Sequence, residues 1–207
     1  MIKLLSYKNI SQNAELYFDQ FRLRHREFID RQDYDVKAHD GMEFDEYDTL
    51  AAQYLVYSED GRTALGASRL TPVVMGCMLK DHFPHLVDDH ALLSQTDVWE
   101  GTRFCIDSSL PPEQRRHICQ SLALAYVEAG LNIGATHIIG LMPTLILRSV
   151  FERSGIQLDR LGAPHAIGAH SRIQAASIEV CIEQITRAAA TSGLSNVMNG
   201  DIPHHAA

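Results

Sequence analysis

The side chains best suited to chemistry fall in four short stretches. "RHREFIDRQDYDV" (24–36) sets Arg24 and Arg31 among Phe28, Tyr34 and Val36. "GMEFDEYD" (41–48) packs Glu43, Asp45, Glu46 and Asp48 around Phe44 and Tyr47. Arg69 lies inside the apolar run "GASRLTP", and Glu100 and Arg103 lie inside "VWEGTRF". Arginine offers a rigid fork for carboxylate or phosphate. A carboxylate can take a proton from a nucleophile, and aromatic faces attract cations. An acidic row facing a cationic ligand, or facing Arg24, would make a site.

Local structure has to aim these groups. Residues 12–30 read as a helix, with Leu16, Phe21 and Phe28 recurring near helical spacing. On it Phe21, Arg24, Phe28 and Arg31 are three, four and three residues apart and share one face. The arginines either snorkel at the edge of a buried stripe or bind a ligand. Residues 33–48 read as a loop. If 41–48 is extended, one row is acidic and the other apolar. Residues 53–58 and 64–72 are strands joined through Asp60-Gly61, a hairpin signal. Residues 73–96 look irregular. Residues 97–107 alternate like a strand, and a charge inside such a strand needs a partner. Alternation puts Glu100 and Arg103 on opposite faces unless a bulge intervenes, and Gly101 is the candidate for one. A helix follows at about 112–131, then a buried strand at 136–142. A further helix, 143–155, opens at proline and stops at glycine. "IQLDRLG" and "SRIQAASIEV" add strand, passing into helix after about residue 180. The expected architecture is α/β, a mixed sheet flanked by helices. Residues 1–195 form one domain, and 196–207 are expected to be a flexible tail.

Composition narrows the function. The 207 residues are 45% hydrophobic, enough for one core of ordinary size. A formal net charge of −8 with no basic tract argues against nucleic acid as a partner. No run approaches the roughly 20 apolar residues of a membrane span. The four cysteines have no CxxC spacing and read as reduced thiols of a cytoplasmic protein. The 11 histidines are scattered, with no metal-ligand spacing, so no metal is expected.

Taken in order, the motifs resemble the LuxI-type acyl-homoserine-lactone synthases, the autoinducer synthases. The matching positions are Arg24, Phe28, Arg31, Tyr34 and Val36, then Glu43, Asp45 and Asp48, then Arg69, Glu100 and Arg103. Tyr34 departs from the tryptophan usual in that family. The resemblance covers most of residues 1–180. It implies a GNAT-like acyltransferase fold, a single twisted mixed sheet splayed in the middle, with the acyl donor threading the splay. It further implies that S-adenosylmethionine is a substrate and that no cofactor is needed. The amine of S-adenosylmethionine would attack an acyl thioester. Its carboxylate would then close a lactone and release methylthioadenosine.

On this reading Glu100 is the base, with Asp45 second to it, and Arg69 fixes the carboxylates. Arg24 or Arg103 forks the methionine carboxylate, and Asp45, Asp48, Phe28 and Tyr34 hold the sulfonium. Backbone N–H groups near 103–105 serve the oxyanion. Phe104, Leu141, Met142, Leu145, Ile146 and Val150 line the acyl pocket. "DSSLPPEQRR", where N-acetyltransferases carry a glycine-rich pyrophosphate loop, has no glycine. That favours an arm delivered by acyl carrier protein over tight cradling of coenzyme A, although acyl-CoA stays open. Arg115, Arg116, Arg148 and Arg153 either meet that carrier or form a solvated face. The rival function is a GNAT-type N-acyltransferase for a different amine, forming no lactone.

Overall fold

Period-two burial in the early strands sets two layers on one sheet. In a computed structural model, which describes residues 1–167 and 171–198, β4 (Gln53–Tyr57) sends alternate side chains to opposite faces. Tyr54 and Val56 meet the first helix, whereas Leu55 and Tyr57 join the core under the long one. That first helix follows β1 (Ile2–Leu5). It runs as α1 (Ala14–Arg24) and continues without a break into a π-helical turn, His25–Asp30. The short strands β2 (Ala38–His39) and β3 (Met42–Glu43) pair antiparallel. Their turn is Asp40-Gly41, with φ of +52° and +68°. Positive φ at both central residues is the turn that matches strand twist. The loop expected over 33–48 therefore holds a hairpin, and its second arm delivers Glu43 to the interior.

β5 (Gly66–Pro72) pairs antiparallel with β4, and the Asp-Gly turn expected between them forms around Asp60, whose carboxylate accepts from the N–H of Arg62 and Thr63 at 2.8 Å. The segment after it is not wholly irregular, because it contains α2 (Met78–His82). β6 (Val98–Ile106) leads to α3 (Pro112–Ile133), then β7 (His137–Pro143). α3 begins at proline and ends at Gly134, whose φ of +73° suits the left-handed stop. α4 (Thr144–Ile146) passes into a π-helical turn, Leu147–Phe151, and a 3-10 turn, Glu152–Ser154. β8 (Asp159–Arg160), β9 (His165–Ile167), β10 (Ser171–Glu179) and α5 (Ile182–Ser192) complete the described chain.

The sheet runs β1-β4-β5-β6-β7-β10-β8, with β9 also on β10. It is antiparallel except between β6 and β7, which lie parallel. Those two strands keep only three registered pairs, Val98–His137, Trp99–Ile138 and Glu100–Ile139, and then part. The sheet is thus split down its middle, and the split is where a ligand can enter.

Gly101 sits at the point of divergence, but it is not the bulge. A Cβ there would lie 2.2 Å from Cε1 of Tyr126, which is locked by a 2.5 Å hydrogen bond with Ser68. The bulge falls at Arg103, where φ is +55°. Two residues of β5, Ala67 to Arg69, face the three-residue step from Cys105 to Thr102.

The expectation of a frayed end applies differently to different residues. Residues 199–207 lie outside the described part. Val197 and Met198 are held, because buried Glu128 of α3 accepts both their N–H groups at 3.2 and 3.1 Å. Among the described residues no helix is long and apolar enough to cross a membrane.

Replacing Gly101 by alanine forces the Tyr126 ring out of its position. The Gly101→Ala protein should lose about 1–3 kcal/mol of stability, read as a lower urea midpoint at unchanged slope. An unshifted midpoint would mean that the ring has room to move.

Candidate active site

The first helix, the β2–β3 hairpin and the two central strands bring their charged side chains to one place. Arg24 is 1% exposed and its fork is full. Its Nε donates to Glu43 at 2.5 Å, and its two terminal nitrogens donate to both oxygens of Asp48 at 2.8 Å. Arg69, equally buried, donates through both terminal nitrogens to Asp45 and pairs with Asp48 at 3.0 Å, while its Nε donates to Thr102 at 3.0 Å. Arg103 donates to Glu43 at 3.0 Å and pairs with Asp45 at 2.7 Å. Three guanidinium groups and three carboxylates therefore interlock, and their formal charges cancel. Tyr54 adds a hydroxyl bond to Asp48 at 3.0 Å.

Burial and pairing pull in opposite directions here. Burial by itself would raise the Asp48 carboxyl, but the fork of Arg24 and the charge of Arg69 hold it below its ordinary value. Burial likewise opposes the charge of Arg24, and Asp48 and Glu43 more than offset that. The network exists as ions because each member has oppositely charged neighbours within hydrogen-bond reach.

The bulge at Arg103 resolves the facing problem of β6. Glu100 and Thr102 share the face of Arg69, and the extra residue turns Arg103 onto that face too. Glu100 is wholly buried. Its two oxygens each accept a backbone N–H at 2.7 Å, from Met78 and Leu79 at the start of α2. Burial raises its carboxyl above the ordinary value, although those amides and Arg69 pull the other way.

A cavity of about 460 Å³ opens where β6 and β7 part. Thr102, Arg103 and Phe104 form one wall, and Leu141, Met142, Ile146 and Val150 another. Phe28 and Tyr34 reach it from the first helix and the turn after it, their rings stacked at 5.9 Å and 10°. The π-helical turn places Phe28 there and leaves the Arg31 side chain half exposed on the same cavity.

The expected residues therefore separate. Arg103, Phe28, Tyr34, Phe104, Leu141, Met142, Ile146 and Val150 line the cavity. Arg24 does not, since its fork is spent on Glu43 and Asp48 and its surface is sealed. Asp45, Asp48, Arg69 and Glu100 stand behind the lining. Leu145, expected in the acyl pocket, points outward at 71% exposure because α4 turns its neighbours Ile146 and Leu147 inward instead.

Sequence reasoning missed Met78, Thr102, Ser108, Cys105 and Cys119 on the cavity wall. The segment holding Met78 had no periodic signal. Period-two reading could not place residues around a bulge expected at Gly101 and found at Arg103. Burial pushes the Cys105 thiol up to about 12 and that of Cys119 up to about 11, so neither is a ready nucleophile. Buried Glu27 was also missed, although its i, i+4 spacing to Arg31 was visible.

Comparison with known proteins agrees with this geometry. The family profile described as autoinducer synthase matches residues 8–187. An acyl-homoserine-lactone synthase of Rhizobium radiobacter is 32% identical over 162 residues, 76% of each chain. An isovaleryl-homoserine lactone synthase of Bradyrhizobium diazoefficiens is 27% identical over 206 residues, 98% of this chain and 90% of that one. A solved CoA-dependent acyl-homoserine lactone synthase, BjaI, with SAM and isopentyl-CoA superposes with a TM-score of 0.84 at 26% identity, covering 97% of this chain and 93% of the other. A split sheet, an arginine-bearing cavity and a profile match over most of the length converge on one assignment: the chain belongs to the autoinducer synthase family, the acyl-homoserine-lactone synthases.

Proposed function

We propose that this chain makes an N-acyl-L-homoserine lactone from S-adenosylmethionine and an acyl thioester carried on a phosphopantetheine arm, in the cytoplasm. The observation that carries the reading is the cavity in the split sheet, with Arg103 on its wall and a neutral ion network behind it. A substrate with one carboxylate, one amine and one sulfonium needs a fixed cation and an aromatic surface in one cavity. Arg103 is the cation, now that Arg24 is spent elsewhere. Phe28 and Tyr34 supply stacked faces for the sulfonium. Asp45 and Asp48 stand behind the wall, and Arg69 fixes both.

The ammonium of the substrate gives one proton to a base, the freed amine attacks the thioester carbonyl, the C–S bond breaks, and the departing thiolate takes the second N–H proton and leaves as thiol. Glu100 takes the amine's proton across a water, and its raised carboxyl suits it to that task. The amides of Arg103 and Phe104, which stand outside the β5–β6 register, serve the oxyanion. The carboxylate then attacks the γ-carbon. The C–S bond to the sulfonium breaks with its electrons going to sulfur, and methylthioadenosine departs. Holding the two ends together can lower such a barrier by roughly 7–11 kcal/mol. The acyl chain lies along Phe104, Leu141, Met142, Ile146 and Val150. Arg116, Arg148 and Arg153 offer charge to an acidic carrier protein, and the relative solved with isopentyl-CoA supports coenzyme A as a second possible carrier.

Purified protein given S-adenosylmethionine and an acyl donor should release methylthioadenosine and acyl-homoserine lactone one for one by mass spectrometry. An acylated amine without methylthioadenosine would instead favour an N-acyltransferase that forms no lactone.

Glu100→Gln should cut acylation by about two orders of magnitude or more, with an unchanged far-ultraviolet spectrum. Wild-type-like turnover rejects Glu100 as the base.

The base must be ionised, and its carboxyl sits above the ordinary value, so activity rises with pH through that raised value. The acid limb of kcat/KM should therefore have its midpoint above the usual glutamate range of about 4.3. A limb at or below that range would contradict the role.

A further inference from the structure

The cavity wall carries two arginines that the ion network behind it does not use. Arg31 comes from the end of the first helix, and Arg115 from the first turn of α3. Ser108, in the turn between β6 and α3, lines the cavity beside them. One buried carboxylate ties two of these pieces together. Glu27, 3% exposed, accepts the Nε–H of Arg31 at 2.6 Å through one oxygen and the Ser108 N–H at 2.8 Å through the other. Its carbonyl also accepts from Gln32, another residue of the wall, at 2.7 Å. The Arg115 Nε–H is buried and has no acceptor among the described residues. An unpaired charged donor on a cavity wall is costly unless a ligand meets it.

Position along β6 says which part of a substrate lies here. Arg103 marks the reacting end. From Arg103 to Ile106 the strand advances roughly 10 Å, and the turn with Ser108 lies beyond. A group bound between Arg31 and Arg115 is therefore far from the thioester, as the phosphate of an extended phosphopantetheine arm would be. That phosphate is common to acyl carrier protein and coenzyme A. Side-chain forks take the place of the glycine-rich amide cradle that residues 107–116 lack.

Resting on the function proposed above, we infer that Arg31 and Arg115 hold the phosphate of the donor's phosphopantetheine arm, with Glu27 as the positioning residue that aims Arg31.

Calorimetric binding without S-adenosylmethionine separates this from turnover, so an inactive enzyme would count against the function alone. The probes are hexanoyl-4′-phosphopantetheine and hexanoyl-pantetheine, identical but for the phosphate. Wild-type protein should bind the phosphorylated probe roughly tenfold or more tightly. Arg115→Gln and Arg31→Gln should each remove most of that preference while leaving the Kd for hexanoyl-pantetheine unchanged. Glu27→Gln, which can still accept from Ser108 but not from Arg31, should remove part of it. Arg31 is half exposed, so its variant keeps the test open if Arg115→Gln folds poorly. Equal binding of the two probes by wild type, or equal weakening of both by the variants, overturns the assignment. With hexanoyl-CoA and hexanoyl-carrier protein the Arg115→Gln defect should appear for both. A defect confined to coenzyme A would put the arginines on its nucleotide and overturn the shared-phosphate reading.

Discussion

Six oppositely charged side chains packed into one cluster, with Arg24, Glu43 and Arg69 fully buried, are the constraint on which the rest of this protein depends. Arg24, Arg69 and Arg103 have nowhere to put their charge except on Glu43, Asp45 and Asp48. Removing one partner from such a cluster leaves a buried charge uncompensated, at a cost of about 3–5 kcal/mol. The network therefore fastens together parts of the chain that are far apart in sequence. It draws the first helix, the β2–β3 hairpin, β5 and β6 into a single wall. Ion pairs brace that wall from end to end, and Arg103 is the member that faces the cavity. Glu43 and Asp45 fix the orientation of its guanidinium from behind.

The second constraint is the parting of β6 and β7. Parallel pairing stops after three residues, and the space that follows is too wide for hydrogen bonds and wide enough for a ligand. The bulge at Arg103 falls just beyond this point and does two things at once. It turns Arg103 onto the face of Glu100 and Arg69, and it takes Arg103 and Phe104 out of the ladder with β5. Strain at a positive φ is tolerated because the guanidinium is anchored on Glu43 and Asp45. Beneath, Glu100 binds the start of α2 and so holds Met78 on the cavity wall. Both of the Glu100 oxygens are engaged in that anchoring.

Much of the fold was legible because its signals are local. Pro112 and Gly134 bound the long helix, alternation marked β4, β5 and β6, and Asp60-Gly61 marked a turn. The Asp40-Gly41 turn carried the same signal and was passed over, because the surrounding acidic residues read as solvated loop. That omission hid why Glu43 is buried. The candidate site was legible only as a set of types. Arg24 and Arg103 look alike in sequence, and nothing local says that one is spent on structure while the other meets the cavity. Leu145 and Ile146 are adjacent and equally apolar, yet the first points to water and the second to the pocket.

The sequence by itself determined the order of the main strands and helices, the residues able to carry charge into the core, and the family those residues belong to. Periodicity, turn chemistry and motif spacing are properties of neighbouring residues, so they survive without coordinates. Tertiary structure alone decided which arginine faces the cavity, where the bulge falls, and that Glu27 joins the first helix to the turn before α3. Each of these depends on pairing between residues tens of positions apart. A buried charge settles on whichever partner the packed chain brings within reach.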